Sequence, residues 1–341
     1  MRIGLSVATA VSLAACRGGV APAPSREPVV PTSVTSTGPG SPSSLVSPSS
    51  DAPPTEPGVE AVVSLSGNEA YGLAVTDDSV WVVLYRGSIL SRVDPDTNKE
   101  IDTIDGGAGA ATLLTVGDRV WLGRYGSDPS ITVFDEGDAV LDVDAGELCC
   151  DLTELSGIVW GVDADGALVG IDRTTGGVTK RVNVPLHSEI HTNVVAGGNA
   201  LWASSDDTPL FRVDARGRIT KRIRTGGGVP FLEHDGLVWG AKPDELWAVD
   251  AKTSKVARRI QLDDSFEVLS MAIDDDSIWL GMRHPGFVGA VERLDLESGK
   301  VLAEIRVDIP ARIALAFGSV WVTDSGGGSL YRVDPGATTG A

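Results

Sequence analysis

The chain has 341 residues, 42% of them hydrophobic, with 41 glycines and 47 acidic against 28 basic side chains, giving a formal net charge of −19. That length carries one large all-β domain or two average ones. The acidic excess excludes a nucleic-acid partner, because it repels phosphate backbones.

The N-terminus reads as a targeting segment. Arg2 is followed by the apolar run "IGLSVATAVSLAA", too short to span a bilayer as a mature helix. The run ends in Leu13-Ala14-Ala15-Cys16, which resembles the bacterial lipobox. That resemblance implies a signal peptide over 1–15, lipidation of Cys16, and a place on the extracytoplasmic face of the cell membrane. Residues 17–57 are rich in Pro, Ser, Thr and Gly without periodicity. They predict a disordered tether, so that 16–57 forms a lipidated cysteine and its spacer. Besides Cys16 there are only Cys149 and Cys150. As neighbours they stay thiols or form a vicinal disulfide, and no disulfide framework supports the fold.

From residue 58 the sequence repeats itself. Trp81, Trp121, Trp160, Trp202, Trp239, Trp279 and Trp321 follow one another at spacings of 40, 39, 42, 37, 40 and 42. Each is followed by an apolar residue and an aspartate: Asp94, Asp135, Asp172, Asp214, Asp250, Asp295 and Asp334. The first repeat contains four β-patterned runs, "YGLAV", "SVWVVLY", "ILSRVD" and "EIDTID", separated by "TDD", "RGS" and "PDTNK". A period near forty with four strands per unit predicts an all-β, seven-bladed β-propeller of four-stranded antiparallel blades over 58–341. The last repeat stops after three strands. "VEAVVSLS" at 59–66 has the character of the missing fourth, so the N-terminal strand should close the last blade.

"SRVDPDTNKEIDTIDGG" and "GLAVTDDSVWV" resemble the YVTN-type propeller repeat shared by bacterial secreted propellers and streptogramin-lyase-like proteins. The resemblance spans 58–341 and implies the architecture; propellers of this kind include enzymes and binding proteins. The repeated tryptophan should fill the space between blades. The repeated aspartate should accept backbone N–H bonds in its turn.

Strand parity places the b–c loops and the connections between blades on one face, around the channel mouth, where ligand sites of propellers gather. "LHSEIHT" connects two blades there, and "GELCCD" occupies the same connection one blade earlier. His187, Glu189 and His191 stand at i, i+2 and i+4. In extended backbone they share a face and could hold a divalent metal with an open position. His191 and Glu189 could instead form an acid/base pair for elimination, or the stretch could be a plain polar loop. Glu147, Cys149, Cys150 and Asp151 belong to the neighbouring connection. Asp206 and Asp207 belong to a nearby b–c loop, and His284 to another two blades on. These are the candidate binding residues. Streptogramin lyases likewise use His and Glu on this face, but their motif is not matched here and no catalytic residue carries over.

The expected protein is a monomeric, lipid-anchored binding module, with a small molecule or an envelope protein at its channel mouth. The rival expectations are a lyase or hydrolase using His191 and Glu189, and an envelope assembly scaffold.

Overall fold

A computed structural model describes residues 56–125, 130–146, 148, 151–186, 192–262, 267–283 and 289–338. Among the described residues the first strand is β1 (Val59–Ser64), and 27 further strands follow. Blade 1 holds β2 (Ala70–Val75), β3 (Val80–Leu84), β4 (Ile89–Asp94) and β5 (Lys99–Asp105). Blade 2 holds β6 (Ala110–Val116), β7 (Arg119–Arg124), β8 (Ile131–Asp135) and β9 (Asp138–Val143). Blade 3 holds β10 (Thr153–Leu155), β11 (Ile158–Val162), β12 (Ala167–Asp172) and β13 (Val178–Asn183). Blade 4 holds β14 (Thr192–Gly197), β15 (Ala200–Ser205), β16 (Leu210–Asp214) and β17 (Ile219–Ile223). Blade 5 holds β18 (Val229–His234), β19 (Leu237–Lys242), β20 (Glu245–Asp250) and β21 (Lys255–Gln261). Blade 6 holds β22 (Glu267–Ile273), β23 (Ser277–Arg283), β24 (Gly289–Asp295) and β25 (Val301–Arg306). Blade 7 holds β26 (Pro310–Ala316), β27 (Ser319–Asp324) and β28 (Ser329–Val333), and β1 pairs antiparallel to β28 as its fourth strand. All seven sheets are four-stranded antiparallel meanders, so the propeller and its N-terminal closure are as the repeat predicts.

The core lies between the blades. Seven clusters of buried apolar side chains sit at the seven interfaces, and each contains the repeated tryptophan of one flanking blade. All seven indoles are 2% exposed or less. Burial on this scale, repeated around a ring, supplies the hydrophobic stabilisation that a single sheet lacks.

A cation lies over most of these rings. Arg92, Arg212, Arg293 and Arg332 stack on Trp81, Trp202, Trp279 and Trp321 at 5.3–5.7 Å, each from the directly paired position on the next strand. In blades 3 and 5 that paired position is Gly170 or Ala248. There Lys180 and Arg258 reach in from the outermost strand instead, at 5.7 and 5.9 Å. Several of these cations also donate to the next blade. Lys180 Nζ bonds the Ala215 carbonyl, Arg293 Nη1 the Ala337 carbonyl, and Arg332 Nη1 the Pro95 carbonyl. The cation–π pair is thus also a hydrogen-bonded rivet between blades.

The repeated aspartates set the turns into the outer strands. Asp94 accepts from the Asp96 and Thr97 N–H groups, Asp172 from Thr174 and Thr175, Asp214 from Arg216 and Arg218, Asp250 from Thr253, and Asp295 from Ser298. These are side-chain-to-backbone turns of the kind short acidic residues favour.

Candidate functional site

The innermost strands β2, β6, β10, β14, β18, β22 and β26 surround the axis. Five of them, β2, β6, β18, β22 and β26, carry a register shift near their first residues, at the channel mouth. Bulges there re-aim side chains. Below the mouth, Leu73, Leu113, Leu232 and Ile313 line a cavity of about 350 Å³, with Asp151, Thr153, Asn193, Glu233, Ser270 and Arg312 as its polar members. That volume lies at the low end of small-molecule pockets.

Asp151 and Arg312 meet within this cavity. Arg312 Nη2 donates to Asp151 Oδ1 at 2.8 Å, and Thr112 Oγ1 donates to the same oxygen at 2.9 Å. Asp151 precedes β10 in blade 3, whereas Arg312 stands on β26 in blade 7. In a ring of seven, those two blades are as far apart as any pair. The ion pair therefore crosses the channel. Tyr71 lies 4.9 Å beneath the guanidinium and packs on Tyr85 at 6.2 Å between ring centroids. Burial works against the Arg312 charge. The Asp151 carboxylate and the Tyr71 and Tyr125 phenols more than offset it, so the guanidinium is held more firmly protonated than usual. Its side chain remains 23% exposed and that of Asp151 31%, so the pair is open to the cavity. The backbone of Arg312 is fixed as well: its N–H donates to Thr323 Oγ1 at 3.0 Å, and that hydroxyl lies 3.0 Å from the Tyr71 carbonyl of blade 1.

The "GELCCD" connection is anchored by Leu148, which bridges Tyr125 on one side and Asp163 on the other and is 2% exposed. Asp163 forms an ion pair with Arg181 and accepts from the Asp165 and Ala167 N–H groups. Asp206 lines a second hollow of about 250 Å³, with Gly226, Gly227, Gly228, Lys242 and Glu267. Its carbonyl accepts from the Gly228 N–H at 2.9 Å. Gly228 has φ +85°, and a Cβ there would stand 1.9 Å from the Ala241 carbonyl, so this connection requires glycine. Asp207 follows in the same loop, away from the Asp151 cavity. Of the sequence candidates, then, Asp151 enters the channel and Asp206 the second hollow. His187, Glu189, His191, Glu147, Cys149, Cys150 and His284 lie outside the described residues, as does Cys16. Among the described residues, no group of three or more His, Cys, Asp or Glu side chains is placed to hold a metal ion.

Sequence reasoning missed Arg312, Tyr71, Thr112 and Asn193. A signal existed. Aligned on the residue opposite each of the seven tryptophans, the position two earlier reads Gly72, Thr112, Asp151, Asn193, Pro230, Ser270 and Arg312, polar in five of the seven. Polar residues recur there among strands otherwise chosen for apolar packing.

No protein-family model matches this sequence, and no curated protein sequence does. Solved structures do resemble it. A chain of the Mitotic Checkpoint Complex aligns with TM-score 0.66 at 13% identity, over 89% of this chain and 99% of that one. Virginiamycin B lyase from Staphylococcus aureus aligns with TM-score 0.62 at 17% identity, over 80% and 98%. The computationally designed Ika8 protein aligns with TM-score 0.60 at 15% identity, over 80% and 98%. At such identities the likeness is one of fold alone.

Proposed function

We propose that this propeller is a binding module, held on the extracytoplasmic side of a membrane by a lipid on Cys16, that takes a small ligand at its channel mouth. The observation that carries the reading is the Asp151–Arg312 pair in the channel cavity, whose wall mixes leucines with polar side chains. Ring closure does not call for it, because the seven interfaces already hold the blades. A partly buried ion pair contributes little net stability against its desolvation cost. A guanidinium and a carboxylate beside an aromatic ring, converging on one cavity, are instead the kind of polar groups that orient a bound ligand. Lyase or hydrolase chemistry would rest on His191 and Glu189, with a metal also calling on His187. The likeness to virginiamycin B lyase brings the fold and no residue, so binding is the leading reading.

The test is a thermal-shift screen of charged small molecules on the wild-type protein, on Arg312→Met and on Asp151→Asn. Ligands that raise the wild-type melting temperature should lose that effect in both variants, while the far-ultraviolet spectrum stays unchanged. Hits that stabilise all three proteins equally would remove the channel mouth as the site.

A further inference from the structure

The outermost strand of each blade is an unpaired sheet edge, and charge on these edges is sorted by sign. Strands β13, β17 and β21, in consecutive blades 3, 4 and 5, carry seven cations and no carboxylate. Strands β5, β9, β25 and β1 carry seven carboxylates and only two cations, Lys99 and Arg306. Edge strands use charge to discourage pairing with other chains, but either sign serves that purpose. Sorting by sign therefore needs a further cause, the more so in a chain with net charge −19.

Part of the cationic set is occupied by the fold. Lys180 and Arg258 stack on tryptophans, Arg181 pairs with Asp163, and Arg259 pairs with Glu245. The centre of the set is different. Lys221 and Arg222 on β17 are exposed; Arg222 lies over the Phe211 ring at 5.6 Å, but neither has an ion-pair partner among the described residues. Arg216 and Arg224 flank them, also exposed.

We propose that the rim of blades 3 to 5 docks on an anionic lipid bilayer. The inference rests on the lipid-anchored reading of Cys16. On that reading, a coil of roughly 40 residues between Cys16 and the ring would have a root-mean-square span of roughly 35 Å, which would keep the ring within reach of the bilayer. Charge complementarity then selects the side. Each cation near an anionic surface contributes to adsorption, whereas the acidic rim of blades 1, 2 and 7 is repelled. The disc stands on its edge, with the channel axis along the membrane plane and the mouth open sideways.

The test uses the chain from residue 16 onward with Cys16→Ser, sedimented with vesicles of phosphatidylcholine alone or with about one-third phosphatidylglycerol. It should bind the anionic vesicles only and be released by salt. Adding Lys221→Glu and Arg222→Glu should weaken that binding about 30-fold or more. Adding Lys99→Glu and Arg306→Glu instead should not weaken it more than a few-fold, and all variants should melt with the parent protein. Equal binding to both vesicle types, or binding indifferent to Lys221 and Arg222, overturns the proposal. So does reversible self-association that the Lys221/Arg222 variant abolishes without any vesicle binding, since the occupant is then the acidic rim of a second copy. The anchor is read separately, by whether Cys16→Ser releases the protein from the cell membrane fraction. A protein already released with Cys16 intact removes the anchor and leaves the vesicle result standing.

Discussion

The Nε of Arg212 is buried and has no hydrogen-bond partner among the described residues. Its counterparts show what is missing. Arg92, Arg293 and Arg332 donate Nε to Ser79, Ser277 and Ser319 at 2.7, 2.8 and 2.8 Å. Each serine stands two residues before its tryptophan, and blade 4 has Ala200 at that place. An unmet buried donor costs about 1–3 kcal/mol. Ala200→Ser should therefore raise stability by about 1 kcal/mol, read as a higher denaturation midpoint. The gain should vanish in an Arg212→Met background, and a gain that survives there would assign it to something other than this bond. Trp160 and Trp239 tell a related story. Their Nε1 atoms have no partner among the described residues, and theirs are the two blades in which the cation arrives from the outer strand.

At the scale of the element, the turns into the outer strands respond to acid. Asp94 is held below the ordinary carboxylate range by the Thr97 hydroxyl, and Asp295 by the Ser298 hydroxyl. Asp172, Asp214 and Asp250 are held there by the backbone N–H groups of Thr175, Arg218 and Thr253. For a carboxyl group with a depressed folded-state pKa, stability is fully present above the unfolded value of about 3.9 and is lost as pH falls through the folded value. Melting temperature should thus decline below about pH 4. The decline should flatten when these five aspartates are changed to asparagine, and an unchanged slope would reject the turns as its source. Asp324 has the opposite sign. Burial raises its pKa despite N–H bonds from Ile309 and Gly326, so it favours the fold as it protonates.

These turns were legible because "DPDTNK" states the whole device in one stretch: the acceptor and the donors lie within four residues. Blade count, strand order and the tryptophan interfaces were legible for the same reason, since each repeat spells them again. The Asp151–Arg312 contact was not. Its partners are 161 residues apart, and Arg312 sits in "ARIALAF", which reads as an ordinary apolar strand. Only the closing of the ring turns the two side chains toward one axis. Nor does sequence spacing tell that the bulges fall at one level of the inner strands, because each is a property of the pairing between two strands.

The whole molecule depends on one joint that chain connectivity does not make. β1 lies along β28, with Glu60 as the extra residue of a bulge; its carboxylate forms an ion pair with Arg332, 2.9 Å from Nε, and accepts from Ser319 Oγ at 2.9 Å. The same Arg332 stacks on Trp321 and donates to the Pro95 carbonyl and Asn98 Oδ1 of blade 1. Val59 and Val63 are buried on either side, in the clusters that join blade 7 to blades 6 and 1. A chain beginning at Leu65 loses the closing strand, the Glu60 contacts and both valines. Burial of the two valines alone is worth at least about 3 kcal/mol. Such a truncated chain should melt lower and form dimers or aggregates through the exposed β28, as sedimentation velocity would show. A truncated monomer with the wild-type melting temperature would contradict the joint's importance.

The register of that joint also decides how the molecule bears load. When the two ends of the chain are pulled apart, tension enters at the Val59–Val333 pair and proceeds toward Ser64–Ser329. The pairs are met one after another, as in unzipping, and never all at once, as in shear. The ring yields first at its seam, and the outer strand can peel back while the tryptophan-packed blades behind it stay intact.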